Sequence, residues 1–141
     1  MSARRTGGVL RVAAAAIRRE DGAVLLALRP RHANQGGKWE FPGGKLEPRE
    51  SAVAGLAREL DEELGIAIEA ATPLITVRHD YPDRRIELLV FEVRAWRGEP
   101  HGREGQTVEW VAAEDLARRE FPAANLPILA ALRLPRLLLV T

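Results

Sequence analysis

The sequence predicts an α+β fold in which a mixed β-sheet is combined with one internal helix and a helical C-terminus. Short apolar segments bounded by glycine, proline and acidic turn residues predict the strands. One central segment carries its apolar residues at helical spacing, and a helical pattern with a proline near its start closes the chain. Neither a repeat nor a linker interrupts the 141 residues, so a single domain spanning residues 1–141 is expected.

Strands and tight turns dominate the N-terminal third of the chain. Residues Val9–Ile17 are apolar and compatible with a strand, although their alanines suit a helix equally well. Glu20-Asp21-Gly22 predicts a hairpin turn that leads into a returning strand at Ala23–Leu28. A further short strand at Trp39–Phe41 precedes the sharp turn of Pro42-Gly43-Gly44.

The clearest helix spans Ser51–Leu64. Ser51 is a favourable N-cap residue, apolar residues recur on one face of the helix, and Gly65 favours a left-handed helix end. Gly55 within this helix costs about 1 kcal/mol relative to alanine, so close packing against a neighbour is expected there.

The C-terminal half is predicted to contain three more strands and two helices. The strands are Ile66–Arg78, Arg85–Trp96 and Thr107–Val111. The helices are Ala113–Ala117 and Asn125–Leu134. Pro127 fits the first turn of the second helix, because its missing N–H costs nothing there.

The composition is that of a soluble globular protein and excludes several classes of function. Hydrophobic residues make up 46% and charged residues 29%, which excludes a disordered chain. The formal net charge of +1 argues against general nucleic-acid binding. The absence of cysteine excludes disulfides and thiol catalysis. Arg11 and Arg18-Arg19 interrupt the apolar run near the start, which argues against a signal peptide, and no apolar segment is long enough to span a membrane. We therefore expect a cytoplasmic monomer with neither a nucleic-acid nor a membrane partner.

Three glutamates share one face of the predicted helix. Glu59, Glu62 and Glu63 lie at positions i, i+3 and i+4, and like charges at this spacing destabilise a helix by roughly 0.2–0.5 kcal/mol per pair. A hard divalent cation such as Mg²⁺ or Mn²⁺ would neutralise them, because it prefers carboxylate oxygens. The alternative is a solvated acidic face paired with nearby arginines.

A longer pattern surrounds these glutamates. From Gly44 to Ile66 the chain reads glycine, five residues, glutamate, seven residues, Arg-Glu, an aliphatic residue, one residue, Glu-Glu, one residue, glycine and an aliphatic residue. This pattern resembles the Nudix box at every fixed position. The segments Lys38–Lys45, Tyr81–Arg84 and Phe121–Asn125 resemble the MutT-type members of this family, so the resemblance extends over nearly the whole chain.

The resemblance implies both a fold and an activity. The Nudix fold is a mixed β-sheet sandwiched between helices in an α/β/α arrangement. MutT-type enzymes hydrolyse 8-oxo-dGTP, and by extension 8-oxo-GTP, to the nucleoside monophosphate and pyrophosphate. Water attacks the β-phosphorus in a reaction that depends on Mg²⁺, for which Mn²⁺ can substitute. Such an enzyme sanitises the nucleotide pool and thereby prevents mutation.

The same resemblance implies the residues of a metal site. The expected ligands are the Gly44 carbonyl and the carboxylates of Glu59, Glu62, Glu63 and Glu104. The expected catalytic carboxylates are Glu59, Glu62 and Glu104. One of them accepts a proton from the attacking water, with Glu59 as the first choice and Glu104 as the alternative.

Further residues are expected to support the reaction or to bind the substrate. Arg58 and Glu50 lie about two helical turns apart, near enough for an ion pair that orients the catalytic face; the alternative is an ordinary surface salt bridge. By resemblance, the residues that bind the substrate are Arg29 and Arg84 at the phosphates, the backbone of Phe41 at the base pocket, and Glu40 and Asn125. Each arginine could equally be a solvent-exposed residue of its loop or hairpin.

Asn125 bears on which base is recognised. Its amide presents a donor and an acceptor side by side, whereas O6 and N7 of guanine are both acceptors. Oxidation at C8 places a hydrogen on N7, so the oxidised base complements the amide in a bidentate pair. The alternative is that Asn125 caps the final helix.

Two other functions are consistent with the sequence. A pyrophosphohydrolase with the same mechanism could prefer modified cytosine nucleotides, but relatives of that kind tend to carry an acidic residue at the position of Asn125. A non-catalytic nucleotide-binding Nudix module would belong to a different class. Such modules generally lose the box carboxylates, all of which are present in this sequence.

Overall fold

The computed structural model describes residues 9–30, 32 and 36–133, and its elements confirm the predicted α+β class. The strands are β1 Val9–Ile17, β2 Val24–Leu28, β3 Trp39–Glu40, β4 Gly43–Lys45, β5 Ala67–Tyr81, β6 Arg84–Arg97 and β7 Val108–Val111. The helices are α1 Ala52–Leu64 and α2 Leu126–Arg133, and two 3-10 turns span Ala113–Arg118 and Ala123–Asn125. Strand β4 has no counterpart among the predicted elements, because two of its three residues are glycines, which favour turns.

The strands form two sheets and not the single mixed sheet expected. The larger sheet has the order β4-β1-β6-β5, with β1 and β6 parallel, and the smaller antiparallel sheet has the order β3-β2-β7. The predicted turn is present, with Gly22 at a φ of 90°, but β1 and β2 share only an isolated bridge between Arg18 and Val24. Strand β2 pairs elsewhere because β4 and β6 occupy both edges of β1.

The larger sheet lies between the two helices, as the α/β/α arrangement requires. Successive residues of β1 point to opposite faces of the sheet. Ala13, Ala15 and Ile17 belong to the core that contains helix α1, whereas Ala14 and Ala16 belong to the core that contains helix α2. The alanine-rich segment is therefore a strand buried on both faces, and its short side chains leave room for the larger residues packed on either side.

Helix α1 begins and ends as its sequence predicts. The Ser51 hydroxyl accepts a hydrogen bond from the Ala54 N–H at 3.1 Å, and Gly65 ends the helix at a φ of 70°. A Cβ at Gly55 would overlap with the Leu46 side chain, which confirms the close packing expected there. The helix rests on the sheet through its buried leucines and has Glu59 and Glu63 beside strand β4.

The helices of the described part of the chain are short. The longer one, α1, has 13 residues, whereas a bilayer-spanning helix needs about 20 apolar residues. No helix in the described part of the chain is long and apolar enough to cross a membrane. Position 134, the predicted end of the last helix, and the apolar segment 137–140 lie outside the described residues.

Candidate active site

A cleft of about 310 Å³ opens beside strands β1 and β4 and the β5–β6 hairpin. Apolar side chains of β1 and β6 line one part of it, namely Leu10, Val12, Ala14, Ile86 and Leu88. Of the predicted site residues, those that line it are Arg29, Glu40, Phe41, Gly44, Glu63, Arg84 and Asn125. The cleft therefore combines an apolar surface that suits a planar base with two arginines whose charge suits phosphates.

Glu63, one of the predicted ligands, has a carboxyl group with a raised pKa. Burial is the main cause that raises the pKa of its carboxyl to about 8. The negative charges of three neighbours raise this pKa in turn, namely Glu59, Glu40 and Glu104. A hydrogen bond from the Gly43 N–H acts in the opposite direction. Carboxylates from helix α1, strand β3 and a distant loop thus lie near enough to Glu63 for their charges to act on it.

Arg58 connects the other acidic residues of this helix face. It forms the predicted ion pair with Glu50 through two hydrogen bonds, from Nε at 2.8 Å and from Nη2 at 2.9 Å. This contact is the main cause that lowers the pKa of the Glu50 carboxyl to about 2, so Glu50 stays charged at neutral pH. The Nη1 of Arg58 donates to Glu59 at 2.9 Å and lies 3.6 Å from Glu62. Arg58 therefore restrains two of the predicted ligands.

The Glu59 carboxylate lies directly against the backbone of Gly44. A Cβ at Gly44 would overlap with the carboxylate of Glu59. At the preceding position, a Cβ on Gly43 would overlap with the carbonyl oxygen of Ala13 on the neighbouring strand. The two glycines are thus needed for different reasons: Gly43 allows strand pairing, and Gly44 leaves space for the carboxylate.

Glu104 lies in the loop that connects β6 to β7. Its side chain is exposed and forms no hydrogen bond or ion pair with other described residues, but its charge acts on Glu63. The loop is bonded to the end of helix α1, for example by the Arg103 N–H, which donates to the Glu63 carbonyl at 2.9 Å. The structure therefore brings Glu104 near the helix glutamates although it is distant from them in sequence.

The chemistry of the predicted ligands suits a divalent metal ion. Among the described residues, no three Asp, Glu or His side chains converge closely enough to form a complete metal site. All the predicted side-chain donors are nevertheless carboxylates, which hard divalent cations prefer. Positive charge at this point would also relieve the repulsion that contributes to the raised pKa of Glu63.

The two arginines predicted to face phosphates both line the cleft but differ in their contacts. Arg29 donates a hydrogen bond to Glu40 at 2.6 Å. Burial raises the pKa of the Glu40 carboxyl, and Arg29 opposes this effect. The side chain of Arg84 forms no hydrogen bond or ion pair within the described residues, and its buried Nε lacks a partner. Arg84 therefore lies at the cleft without a side-chain partner among the described residues, whereas Arg29 is paired with Glu40.

The ring of Phe41 belongs to the hydrophobic core. It is only 3% exposed, and it stacks on Phe121 with 5.6 Å between the ring centroids. The packing of the ring agrees with the expectation from sequence, and contact of the Phe41 backbone with a ligand stays a prediction.

The Asn125 side chain lines the cleft and is not used as a helix cap. Its amide forms no hydrogen bond with any described residue, while its backbone N–H donates to the Pro122 carbonyl at 2.9 Å. The residue before it is held by Tyr81, whose hydroxyl accepts a hydrogen bond from the Ala124 N–H at 3.0 Å. Sequence patterns do not reveal this role of Tyr81, because the two partners lie 43 positions apart.

The chain is similar to several known proteins. The profile of the NUDIX domain matches residues 13–131. The 8-oxo-dGTP diphosphatase of Escherichia coli (strain K12) is 38% identical over 124 residues, or 88% of this chain and 96% of that protein. The CTP pyrophosphohydrolase of the same strain is 38% identical over 117 residues, or 83% of this chain and 87% of that protein. The crystal structure of the MutT NUDIX hydrolase from Burkholderia pseudomallei has a TM-score of 0.76 and 32% identity, covering 88% of this chain and 95% of that one.

The chain therefore belongs to the Nudix hydrolases, the family that the NUDIX domain defines. Its fold is the α+β Nudix fold that the sequence predicts. Nudix hydrolases generally use divalent metal ions, which agrees with the carboxylate chemistry of the predicted ligands.

Proposed function

We propose that this enzyme hydrolyses 8-oxo-dGTP, and also 8-oxo-GTP, to the nucleoside monophosphate and pyrophosphate, and so removes an oxidised nucleotide before DNA replication can use it. The observation that carries the proposal is the unengaged amide of Asn125 in the same cleft as Glu63 and Arg84. The amide can donate to O6 and accept from the N7–H of the oxidised base, whereas unmodified guanine sets the amide oxygen against the N7 lone pair. The E. coli relative named 8-oxo-dGTP diphosphatase supports the same substrate.

The metal in this proposal is Mg²⁺, with Mn²⁺ as a substitute. The residues that would hold it are Gly44 through its carbonyl and Glu59, Glu62, Glu63 and Glu104 through their carboxylates. When bound, the ion neutralises charge on the phosphates and lowers the pKa of bound water. The Glu50–Arg58 ion pair supports the site by restraining the carboxylates of helix α1.

The reaction takes place at the β-phosphorus, and side chains of the proposed site assist it. The oxygen of the attacking water bonds to the β-phosphorus, and the bond from that phosphorus to the α,β-bridging oxygen breaks. Glu59 takes the proton of the water, with Glu104 as the alternative base. Arg84 pairs with the phosphate oxygens, and Glu40 orients Arg29 toward them through its 2.6 Å hydrogen bond. The products are the nucleoside monophosphate and a pyrophosphate that carries the oxygen of the water.

Hydrolysis in ¹⁸O-labelled water tests this course directly. The enzyme is incubated with 8-oxo-dGTP and Mg²⁺, and both products are analysed by mass spectrometry. We expect the label in pyrophosphate and none in the monophosphate. Label in the monophosphate would place the attack at the α-phosphorus, and release of inorganic phosphate in place of pyrophosphate would refute the proposed reaction.

The two glycines of β4 give a matched pair of predictions. Gly44→Ala is expected to displace the Glu59 carboxylate and to lower kcat/KM by about 10²-fold with little change in Tm, because a misplacement of about 1 Å has an effect of this size. Gly43→Ala is expected to cost about 3 kcal/mol or more of unfolding free energy, because its clash is with backbone. Steady-state kinetics of both variants measure kcat/KM, and melting curves measure the change in stability. An unchanged kcat/KM for Gly44→Ala would contradict the proposed role of Glu59.

Metal binding is expected to stabilise the folded protein. At a Mg²⁺ concentration of 100 times Kd, a ligand that binds only the folded state contributes about 2.7 kcal/mol. We therefore expect Mg²⁺ to raise Tm in a thermal melt and EDTA to reverse the effect. In Glu63→Gln the rise should be much smaller, whereas the exposed Glu114→Gln variant should respond like the parent protein. An equal rise in all three proteins would mean that the ion binds elsewhere.

A second candidate function is hydrolysis of a cytosine nucleotide by the same mechanism. The observation that favours it is the similarity to the E. coli CTP pyrophosphohydrolase, which is as identical to this chain as the diphosphatase is. Asn125 argues for guanine, because its amide offers the donor that O6 requires. A non-catalytic nucleotide-binding module is a weaker candidate, since all the box carboxylates are present.

We further propose that residues 1–141 form a single domain that acts as a monomer in the cytoplasm, where nucleoside triphosphates are available. The cleft supports the single domain, because several elements of the described chain together line it. The substrate is a small nucleotide, and neither a nucleic acid nor a membrane is part of the proposal.

A further inference from the structure

The loop of residues 98–106 is bonded to the C-terminal end of helix α1. The last carbonyls of a helix lack partners within the helix itself. Here the His101 N–H donates to the Leu64 carbonyl at 3.1 Å, and the Arg103 N–H donates to the Glu63 carbonyl at 2.9 Å. The Arg103 guanidinium adds a hydrogen bond to the Asp61 carbonyl at 2.9 Å. The loop thus caps the helix that carries three of the proposed metal ligands.

Gln106 makes a different connection, because its side chain bridges the backbones of two proposed ligands. Its Nε2 donates to the Glu63 carbonyl at 3.1 Å, and its Oε1 accepts a hydrogen bond from the Glu104 N–H at 3.0 Å. A carbonyl only accepts and an N–H only donates, so these partners determine the orientation of the amide. One side chain therefore links Glu63 on the helix with Glu104 in the loop.

The position of Glu104 depends on its backbone. Its exposed side chain has no hydrogen bond or ion pair among the described residues. The loop leaves little space near Gln106, since a Cβ on Gly102 would overlap with the Gln106 carbonyl oxygen. The Arg103 N–H also joins the loop to the Glu63 carbonyl, but the Arg103 side chain contacts Asp61 and makes no hydrogen bond to Glu104.

We propose that Gln106 is a positioning residue that holds Glu104 against Glu63 and so presents both carboxylates to one metal ion. The inference rests on the proposed function, which makes these two residues metal ligands. Gln106 itself touches neither the metal nor the nucleotide. Its amide supplies a donor and an acceptor at the distance that separates the two elements, and no charge is added to an already acidic site.

The test is Mn²⁺ binding to the intact protein without nucleotide, measured as the loss of the free-ion signal in electron paramagnetic resonance. Gln106→Ala is expected to weaken Mn²⁺ binding about 10–100-fold, the usual effect of losing a partner that orients metal ligands. Ser51→Ala is the matched control, because it removes a side-chain hydrogen bond at the opposite end of the same helix. It should lower Tm and leave Mn²⁺ binding unchanged.

A second comparison separates positioning from general damage to the loop. In a Glu104→Gln background the further change Gln106→Ala should weaken Mn²⁺ binding by less than about twofold, because the ligand that Gln106 positions is already lost. An equal loss in both backgrounds would overturn the inference, as would parent-like binding by Gln106→Ala. A parent protein that neither binds Mn²⁺ nor releases pyrophosphate from 8-oxo-dGTP would refute the proposed function itself.

Discussion

Replacement of Glu59 by glutamine is expected to lower kcat/KM for 8-oxo-dGTP by about 10²–10⁴-fold, the range associated with loss of a positioned general base. Glutamine keeps the length of the side chain and its contact with Gly44, so the fold should be retained. The substitution removes the negative charge that the metal and the proton of the water require. Arg58 keeps its two hydrogen bonds to Glu50 and remains in place.

Steady-state kinetics with saturating Mg²⁺ measure the loss of kcat/KM, and a melting curve measures whether the fold is retained. Glu114→Gln is the control, because Glu114 is an exposed residue of the 3-10 turn Ala113–Arg118 and lies outside the cleft. It should turn over like the parent enzyme. If Glu59→Gln kept near-normal turnover, Glu59 would be neither the base nor an essential ligand, and Glu104 would become the first candidate for the base.

Asn125→Ala is expected to reduce the preference for 8-oxo-dGTP over dGTP. An unmet polar group in a binding site costs about 1–3 kcal/mol, which corresponds to about 5- to 150-fold in the ratio of the two kcat/KM values. The loss should fall on 8-oxo-dGTP, because dGTP cannot form the paired hydrogen bonds in the parent enzyme. Asn125→Asp should also lose the preference, since it removes the donor to O6, and it should improve activity on cytosine nucleotides, whose N4 amine is a donor.

Leu126→Ala is the matched control for Asn125. Leu126 is the neighbouring residue, is 52% exposed and begins helix α2, so its truncation changes the same segment without touching the amide. Its selectivity ratio should equal that of the parent. A ratio that is also unchanged in Asn125→Ala would show that base recognition lies elsewhere in the cleft.

The parts of the fold that depend on local sequence were predictable. Helix α1, its Ser51 cap and its Gly65 end follow from neighbouring residues, and the structure confirms them. The spacing of Glu50 and Arg58 likewise predicts their ion pair, which is present. The division into two sheets was not predictable in the same way, because it depends on β6 pairing with β1 from a distant part of the chain.

The site shows the same division between local and long-range information. The box glutamates could be named from their spacing, but the burial of Glu63 beside Glu40 depends on how strand β3 meets the helix. The hydrogen bonds of Tyr81 to Ala124 and of Gln106 to Glu63 join residues 43 positions apart. No periodicity in the sequence records such contacts, since they arise only after the sheets and helices have packed.

The central claim is that the cleft selects an oxidised guanine nucleotide for hydrolysis. The most direct measurement is kcat/KM with Mg²⁺ for 8-oxo-dGTP, dGTP and a modified dCTP side by side, with identification of the phosphate product. We expect pyrophosphate release and a preference for 8-oxo-dGTP of up to about 10⁴-fold, as a site built around paired hydrogen bonds can provide. Equal turnover of dGTP, or a preference for the cytosine nucleotide, would contradict the proposed role of Asn125 but not the proposed metal site.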